Sequence, residues 1–468
     1  MRAGRRVCIG GFLLAFLIFA GMGLTGCGTG EEDAATVLRI ASWEEYLDEG
    51  GWREEERITL EDGTEIFGKT HMAEDFESWY EKTYGEKIRV EYSTFGTNED
   101  LYNQMTLGDT FDLVCPSEYM IMKLMQEDKL EPFSENFFDP MKKENYYIRG
   151  LSPYIRNVFD GLTVNNEALS RYGAGYMWGV MGIVYNPAIV SAEDVKHWSV
   201  LIDEDYYKRI TMKDSIRDSY IVALGILQEK ELLSKAFKNA PNYSERLKQK
   251  MNDTSAATVD RAEEILDRMR NNAYSLEIES GKADMVTGKV VANMQWSGDG
   301  VYTMDQAEED GVELSYSVPE ECSNLWFDGF CMMKDGIGKD EKKKQAAEAF
   351  INYISRPDNV IRNMYYVGYT SVIAGGESDL IYQYVDWCYG AEEGAEDTKG
   401  YSMEYFFAKP EEQKGDYVLE VPAEQITRQI CAQYPSEEVI RRSAVMECFD
   451  EEANKRISRM WVNIRCWH

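Results

Sequence analysis

Apolar residues recur along this chain with two periods, and the switching between them lays out a fold. The run at 37–42 (VLRIAS) has the length and apolar content of a buried strand. Met72, Phe76, Trp79, Tyr80 and Tyr84 then repeat at helical spacing, and Gly85 is placed to stop that helix. A second strand is predicted at 88–93, and Thr97 is suited to cap a helix that turns Leu101 and Met105 inward. A third strand at 111–115 leads into a helix through Ile121, Leu124 and Met125. Strand, helix, strand, helix, strand at this pace predicts a βαβ series on a mostly parallel sheet, an α/β fold. Ligands of such open sheets sit beyond the carboxyl ends of the strands. Those ends carry Trp43-Glu44-Glu45-Tyr46 and Pro116-Ser117-Glu118-Tyr119.

Between the first strand and its helix lies an acidic insertion, 48–70. Within it, 58–60 and 65–67 flank Asp62-Gly63, a pair that predicts a two-residue hairpin turn on a surface embellishment. Further on, 183–186 is strand-like, and 211–218 enters a helix through Ile221, Leu224 and Ile226. The stretch 229–282 is mostly helical. Strand-like runs at 290–295 and 325–328 end on Trp296 and on Trp326-Phe327-Asp328. An amphipathic helix follows at 346–354, then a loop-rich acidic segment at 377–414, and a last helix at 455–467.

Charge narrows the partners. A net charge of −33 repels nucleic acid and anionic lipid heads and draws cations from a distance. With 10 Trp and 30 Tyr, the chain has more aromatic surface than packing usually needs, so some is available to line a ligand site. Apart from Cys8 and Cys27, the cysteines are Cys115, Cys322, Cys331, Cys388, Cys431, Cys448 and Cys466, an odd set without C-x-x-C. Neither a disulfide framework nor a zinc site is expected from that spacing. His71, His197 and His468 leave little for a histidine-based triad or metal centre, and no catalytic, phosphate-binding or dinucleotide motif is present. The expectation is a protein that is not an enzyme, with no cofactor and no metal.

The first residues carry an address. Arg2, Arg5 and Arg6 precede an uncharged stretch, 7–23, that closes in Leu24-Thr25-Gly26-Cys27. This resembles a bacterial lipoprotein signal. The resemblance implies cleavage after residue 26, a lipid on the Cys27 thiol, and a tether over 27–36 that holds the body on the outer face of the cytoplasmic membrane. The alternative is that 7–23 stays as a membrane-spanning anchor, since its length is near the lower limit for one.

Eight stretches carry a second resemblance: ASWEEYL, EYSTFGTNEDLY, FDLVCPSEYMIMKLM, GYMWGVMGIVYN, MKDSIRDSY, MQWSGDG, LWFDGF and VGYTS. In this order they resemble the extracytoplasmic spermidine/putrescine-binding proteins of polyamine ABC transporters, a family with the type II periplasmic-binding-protein fold. The resemblance implies two lobes, each a mostly parallel sheet flanked by helices, with ligand in the cleft between them. It places lobe 1 at 37–181 and 327–376, and lobe 2 at 182–326 and 377–468. It implies a monomer whose partners are a small polyamine and the permease and ATPase of a transporter.

Position by position, Trp43 and Tyr46 match an aromatic wall with Glu45 between them, and Ser117 and Tyr119 match a polar and aromatic pair. Trp296 and Trp326 match indoles that sandwich the ligand, and Tyr369 a further aromatic. Asp328 matches the carboxylate that holds one terminal ammonium, and Asp218 stands where the spermidine binder has glutamate. The chemistry is coherent: aromatic faces attract ammonium groups and bury methylenes, while carboxylates take charge-assisted hydrogen bonds. Ser215 and Met446 depart from the spermidine pattern, one losing a carboxylate and the other an amide, which favours putrescine over spermidine. Other small cations or an amino acid in the same fold, a secreted hydrolase with a carboxylate pair, and a sensor in place of a transport receptor are the alternatives.

Overall fold

The computed structural model describes residues 35–409 and 415–466, so the signal and Cys27 lie outside the described residues. The main path of its twelve-stranded sheet comprises β1 (Thr36–Trp43), β2 (Ile88–Phe95), β3 (Leu113–Val114), β4 (Gly173–Tyr185), β5 (Ile210–Lys213), β6 (Ser275–Glu277), β7 (Ala292–Trp296) and β8 (Ser323–Met333). Across the sheet the order is β6-β5-β7-β4-β8-β3-β1-β2. β1 pairs parallel with β2 and β3, and β5 pairs parallel with β6 and β7. In the middle, β4 and β8 run antiparallel to each other, β4 also against β7 and β8 against β3. All 13 residues of β4 and all 11 of β8 are buried; β4 reads accordingly as an apolar run, whereas β8 carries Ser323, Asn324 and Asp328 inside. The strand predicted at 183–186 is the tail of β4.

The helices include α1 (Met72–Tyr84), α2 (Glu118–Gln126), α3 (Ile216–Leu232), α4 (Ser297–Glu309), α5 (Pro357–Val367) and α6 (Glu451–Cys466). α1 buries Met72, Phe76 and Tyr80 and stops at Gly85, whose φ of 71° is the left-handed conformation that favours glycine. Thr97 caps the next helix by accepting from the Asp100 N–H.

Apolar side chains gather into two main cores. One runs from Leu38 to Val180 and resumes from Leu325 to Tyr434; the other runs from Met181 to Met294, takes in Cys322, and resumes from Ala444 to Ile464. The change of core falls inside β4 and at the start of β8. The stretch 377–468 is shared, with Ile381 to Tyr434 in the first core and Ala444 to Ile464 in the second.

Three expectations are corrected. The hairpin at 58–66 has a three-residue loop: Thr59 pairs with Glu65, the Leu60 N–H donates to Thr64, and Gly63 (φ 86°) closes a turn onto Leu60. One extra residue fits because Gly63 is left-handed. The 48–70 insertion is anchored and not an embellishment, since Ile58, Leu60 and Ile66 are buried in the first core. At its base Asp48 is fully buried, bonded by Arg362 Nε of α5 at 2.7 Å and by Trp52 Nε1 at 2.9 Å. Arg362 also donates to the Thr70 carbonyl and to Asp75. The third is the loop-rich segment, which contains a helix, Leu380–Tyr389, and a strand, Thr398–Ser402, paired with Val418–Pro422. All seven cysteines from Cys115 onward are free thiols.

The Arg362–Asp48 pair generates a stability prediction. Arg362→Ala leaves a buried carboxylate without its cation, so urea unfolding should report a loss of about 3–5 kcal/mol. A loss under about 1 kcal/mol, the range of exposed ion pairs, would mean that the insertion is held by its apolar residues alone.

Candidate functional site

Between Asp328 and Gly329 the pairing of β8 with β4 slips, and the resulting bulge turns the strand. Gly329 suits this point because a side chain there would run into the Ala174 carbonyl. The Gly329 N–H donates to the Pro116 carbonyl at 3.1 Å, and Asp328 forms an isolated bridge with Ser117, the residue that opens α2. The Asp328 carboxylate is thereby aimed at the ends of β1 and β3. Ser117 Oγ donates to Oδ1 at 2.7 Å, and the Tyr46 hydroxyl donates to Oδ2 at 2.7 Å. Tyr369 lies edge-on to both Tyr46 and Trp326, with ring centroids 5.5 and 5.4 Å apart. Tyr46, Ser117, Trp326, Asp328 and Tyr369 thus meet from four separate segments of the chain. Asp328 is only 7 % exposed, and among the described residues no cation bonds to it.

The facing wall belongs to the second core. Asp218, in the first turn of α3, accepts from Ser215 Oγ at 2.6 Å and more distantly from Asn324. Trp296, at the end of β7, lies close enough to Asp218 to oppose the rise of its pKa. The ammonium of Lys213 stands 4.4 Å from the centre of the Trp296 ring and is paired with Glu277 at 3.1 Å. Arg217 lies between the rings of Tyr119 (4.4 Å) and Phe449 (3.8 Å) and donates to the Glu447 carbonyl. Because Tyr119 and Trp296 each pack against both cores, the two walls are in contact.

Burial sets the electrostatics. It pushes the Asp328 carboxyl up to about 7; the Tyr46 and Ser117 hydrogen bonds pull it back, and the charge of Asp218 pushes it further. Asp218 is raised for the same first reason, with Ser215, Trp296, Lys213 and Asn324 opposing. Glu118 accepts from the Phe327 N–H at 3.0 Å, leaves its other oxygen unpartnered, and is pushed up by burial to about 8. Burial raises all three acids, with Lys213 opposing at Asp218 and Arg217 at Glu118.

Of the residues singled out in the sequence, Trp43 and Glu45 stand apart from the Asp328 cluster, and Tyr119 is joined to it through Asn98, which also donates to Ser117 Oγ at 3.1 Å. Trp43 packs on Phe95 at 4.8 Å with its buried indole N–H unpartnered. Glu45 is exposed in a left-handed conformation (φ 51°) and lies in the field of Lys282. Tyr119 is hydrogen-bonded to Asn98 at 2.9 Å beneath Arg217. Asp214 is drawn away to Arg465 at 3.0 Å, and Met446 is buried in the second core. Sequence reasoning missed Asp299, one turn after Trp296 in MQWSGDG: it is buried, close enough to Tyr369 to raise the pKa of that hydroxyl, and 3.6 Å from Lys282, which also pairs with Glu279. The signal was the spacing itself, since residues three apart at a helix start share a face.

Residues 71–379 match the family model described as bacterial extracellular solute-binding protein. The chain is 26 % identical over 303 residues to a putrescine-binding periplasmic protein of Escherichia coli, covering 62 % of this chain and 72 % of that one. It is 22 % identical over 270 residues to a spermidine/putrescine-binding periplasmic protein of Haemophilus influenzae, covering 57 % of this chain and 63 % of that one. Among solved structures, the spermidine/putrescine ABC transporter substrate-binding protein of Streptococcus pneumoniae superposes with a TM-score of 0.57 at 24 % identity, over 92 % of this chain and 99 % of that one. The fold is that of the type II periplasmic binding proteins.

The shift at Asp328 has a sign that can be checked without any ligand. Its folded value, about 7, lies above the ordinary 3.8, so the folded state holds the extra proton between those values. The contribution of Asp328 to stability therefore falls as pH rises across that window and is level above it. Thermal melts of Asp328→Asn should show an advantage over the natural protein that grows from about pH 4 to about pH 7. A pH-independent difference would place the charge of Asp328 on a partner instead.

Proposed function

Since the chain belongs to the bacterial extracellular solute-binding proteins, a family of transport receptors and not of enzymes, we propose that it captures a short polyamine and delivers it to an ABC transporter. The observation that carries this reading is the Asp328 carboxylate: buried, oriented by two hydroxyls, walled by Trp326 and Tyr369, and without a cation among the described residues. An ammonium group supplies that missing charge, and the aromatic walls take the methylenes that follow it. Asp218, close enough to raise the pKa of Asp328, is the natural acceptor for a second ammonium.

Putrescine is preferred over spermidine in this reading. Ser215 spends its hydroxyl on Asp218, Met446 is core, and Asp299 is already faced by Lys282. Asp328 and Asp218 then offer one carboxylate to each end of a diamine. The lobes correspond to the two cores, with 377–434 on the side of the first, and Tyr119 against Arg217 is part of the surface on which they close. Outside the described residues, Cys27 is the proposed lipid attachment that keeps the receptor at the membrane, and the net charge of −33 hastens cation capture.

Calorimetric titration of the protein, freed of carried-over ligand by unfolding and refolding, tests the reading. Putrescine should bind one-to-one at micromolar affinity or better, ahead of cadaverine, spermidine and spermine. Asp328→Asn should weaken that binding by about 2–3 kcal/mol. Because the carboxyl must ionise to hold an ammonium, affinity should fall as pH drops below about 7, with protons released on binding. Folded protein that gives no heat with any of the four would discard polyamines and leave other small cations and amino acids. Separately, Cys27→Ser should move the protein out of the membrane fraction or leave it uncut.

A further inference from the structure

Beside the second core, two loops are zipped together over three consecutive positions. The Glu320 N–H donates to the Lys196 carbonyl at 2.8 Å, His197 Nδ1 lies 2.8 Å from Glu321 Oε1, and Trp198 Nε1 donates to the Cys322 carbonyl at 2.8 Å. Trp198 and Cys322 are buried, so the middle pair is clamped between fixed neighbours. Helix α3 then crosses them closely. A side chain at Gly225 would press on Cys322 Sγ at 2.9 Å and on Trp198 Cδ1 at 3.0 Å. One helical turn beyond Gly225 is Glu229, and its carboxylate reaches the His197–Glu321 pair. One ligand atom from each of His197, Glu229 and Glu321 lies within 4.8 Å of the other two.

Two carboxylates at that separation repel, and one of them has lost its water. Glu321 is 1 % exposed, and its second oxygen, Oε2, is buried with no hydrogen-bond partner. Burial raises its pKa and the charge of Glu229 raises it further, against the His197 hydrogen bond. The nearby guanidinium of Arg442 is committed elsewhere, donating to the carbonyls of Pro319 and Val318. A hydrogen bond that joins two loops accounts for Oε1. It does not account for Oε2, nor for a second carboxylate brought to the same spot.

We propose that His197, Glu229 and Glu321 form a site for a divalent transition metal ion of the zinc class. One imidazole nitrogen and two carboxylate oxygens are a donor set that suits Zn2+, with a fourth position left for water on the side where His197 is half-exposed. Seating an ion at about 2 Å from each donor would ask His197 Nδ1 and Glu321 Oε1 to part by roughly half an ångström. The ion would join the 3-10 turns at Asp194–Lys196 and Trp198–Ile202, helix α3, and the residues that lead into β8. The site uses none of the residues gathered around Asp328 and does not depend on what the cleft binds.

The test uses the purified protein, stripped with chelator and titrated with ZnCl2. One equivalent should bind and raise the melting temperature, and Glu229→Gln, at a half-exposed helix position, should lower the affinity at least tenfold while leaving the fold unchanged by circular dichroism. Glu321→Gln and His197→Ala should do the same where they fold. Substituting Co2+ should give ligand-field bands without a thiolate charge-transfer band, which separates this site from the free cysteines. The proposal is overturned by zinc affinity that Glu229→Gln leaves unaltered, by a thiolate band, or by the absence of saturable binding in folded protein.

Discussion

A single uncompensated charge organises this molecule. The Asp328 carboxylate sits at a bulge between the two innermost strands, where burial penalises it and only two hydroxyls support it. Everything nearby is arranged around that deficit: Ser117 is fixed by its bridge to β8, Tyr46 is fixed by its hydroxyl, and Tyr369 and Trp326 close the sides. A folded protein ordinarily avoids an unpaired buried acid, because the desolvation cost is met only by good pairing. Keeping one here is consistent with a partner that arrives from outside.

The contrast with the other buried acids sharpens the point. Asp48 has Arg362 and Trp52, Glu277 has Lys213, Asp112 has Lys343, and Asp299 has Lys282. In each of these the chain supplies its own cation, and the role of the pair is to hold segments together. Where the chain withholds the cation, at Asp328 and Glu118, the acids drift toward their neutral forms. A net charge of −33 therefore divides into solvated surface, internal struts and a small set of acids left open.

Much of the fold was legible from local pattern. The helix from Met72 ends at Gly85 because both its period and its stop signal lie within a few residues, and Thr97 caps for an equally local reason. What failed depended on distant partners. The 48–70 insertion looked solvated because an Asp gives no sign that an Arg more than three hundred residues away will bury it. The helix Leu380–Tyr389 was lost among acidic neighbours although Ile381, Tyr384 and Val385 keep the period. In the site, Tyr46, Ser117, Trp326, Asp328 and Tyr369 lie together in the structure, while Asp299 was overlooked one turn from a residue that was chosen. His197, Glu229 and Glu321 share no spacing; only the close crossing at Gly225 unites them.

β4 passes from the first core into the second between Val180 and Met181, and β8 starts just after Cys322 of the second core and pairs with β4 over Leu325–Cys331. Such a ribbon resists stretching, since its ladder would have to break, but it yields to torsion at little cost. Any motion of one core against the other is then written as added or removed twist in β4 and β8. Their glycines, Gly173, Gly175, Gly179, Gly182 and Gly329, become the compliant elements of a torsion spring, whose rest angle is set by how tightly flanking side chains fill the space above them. Mutations that bulk up these positions act on the spring constant of the molecule before they act on its chemistry.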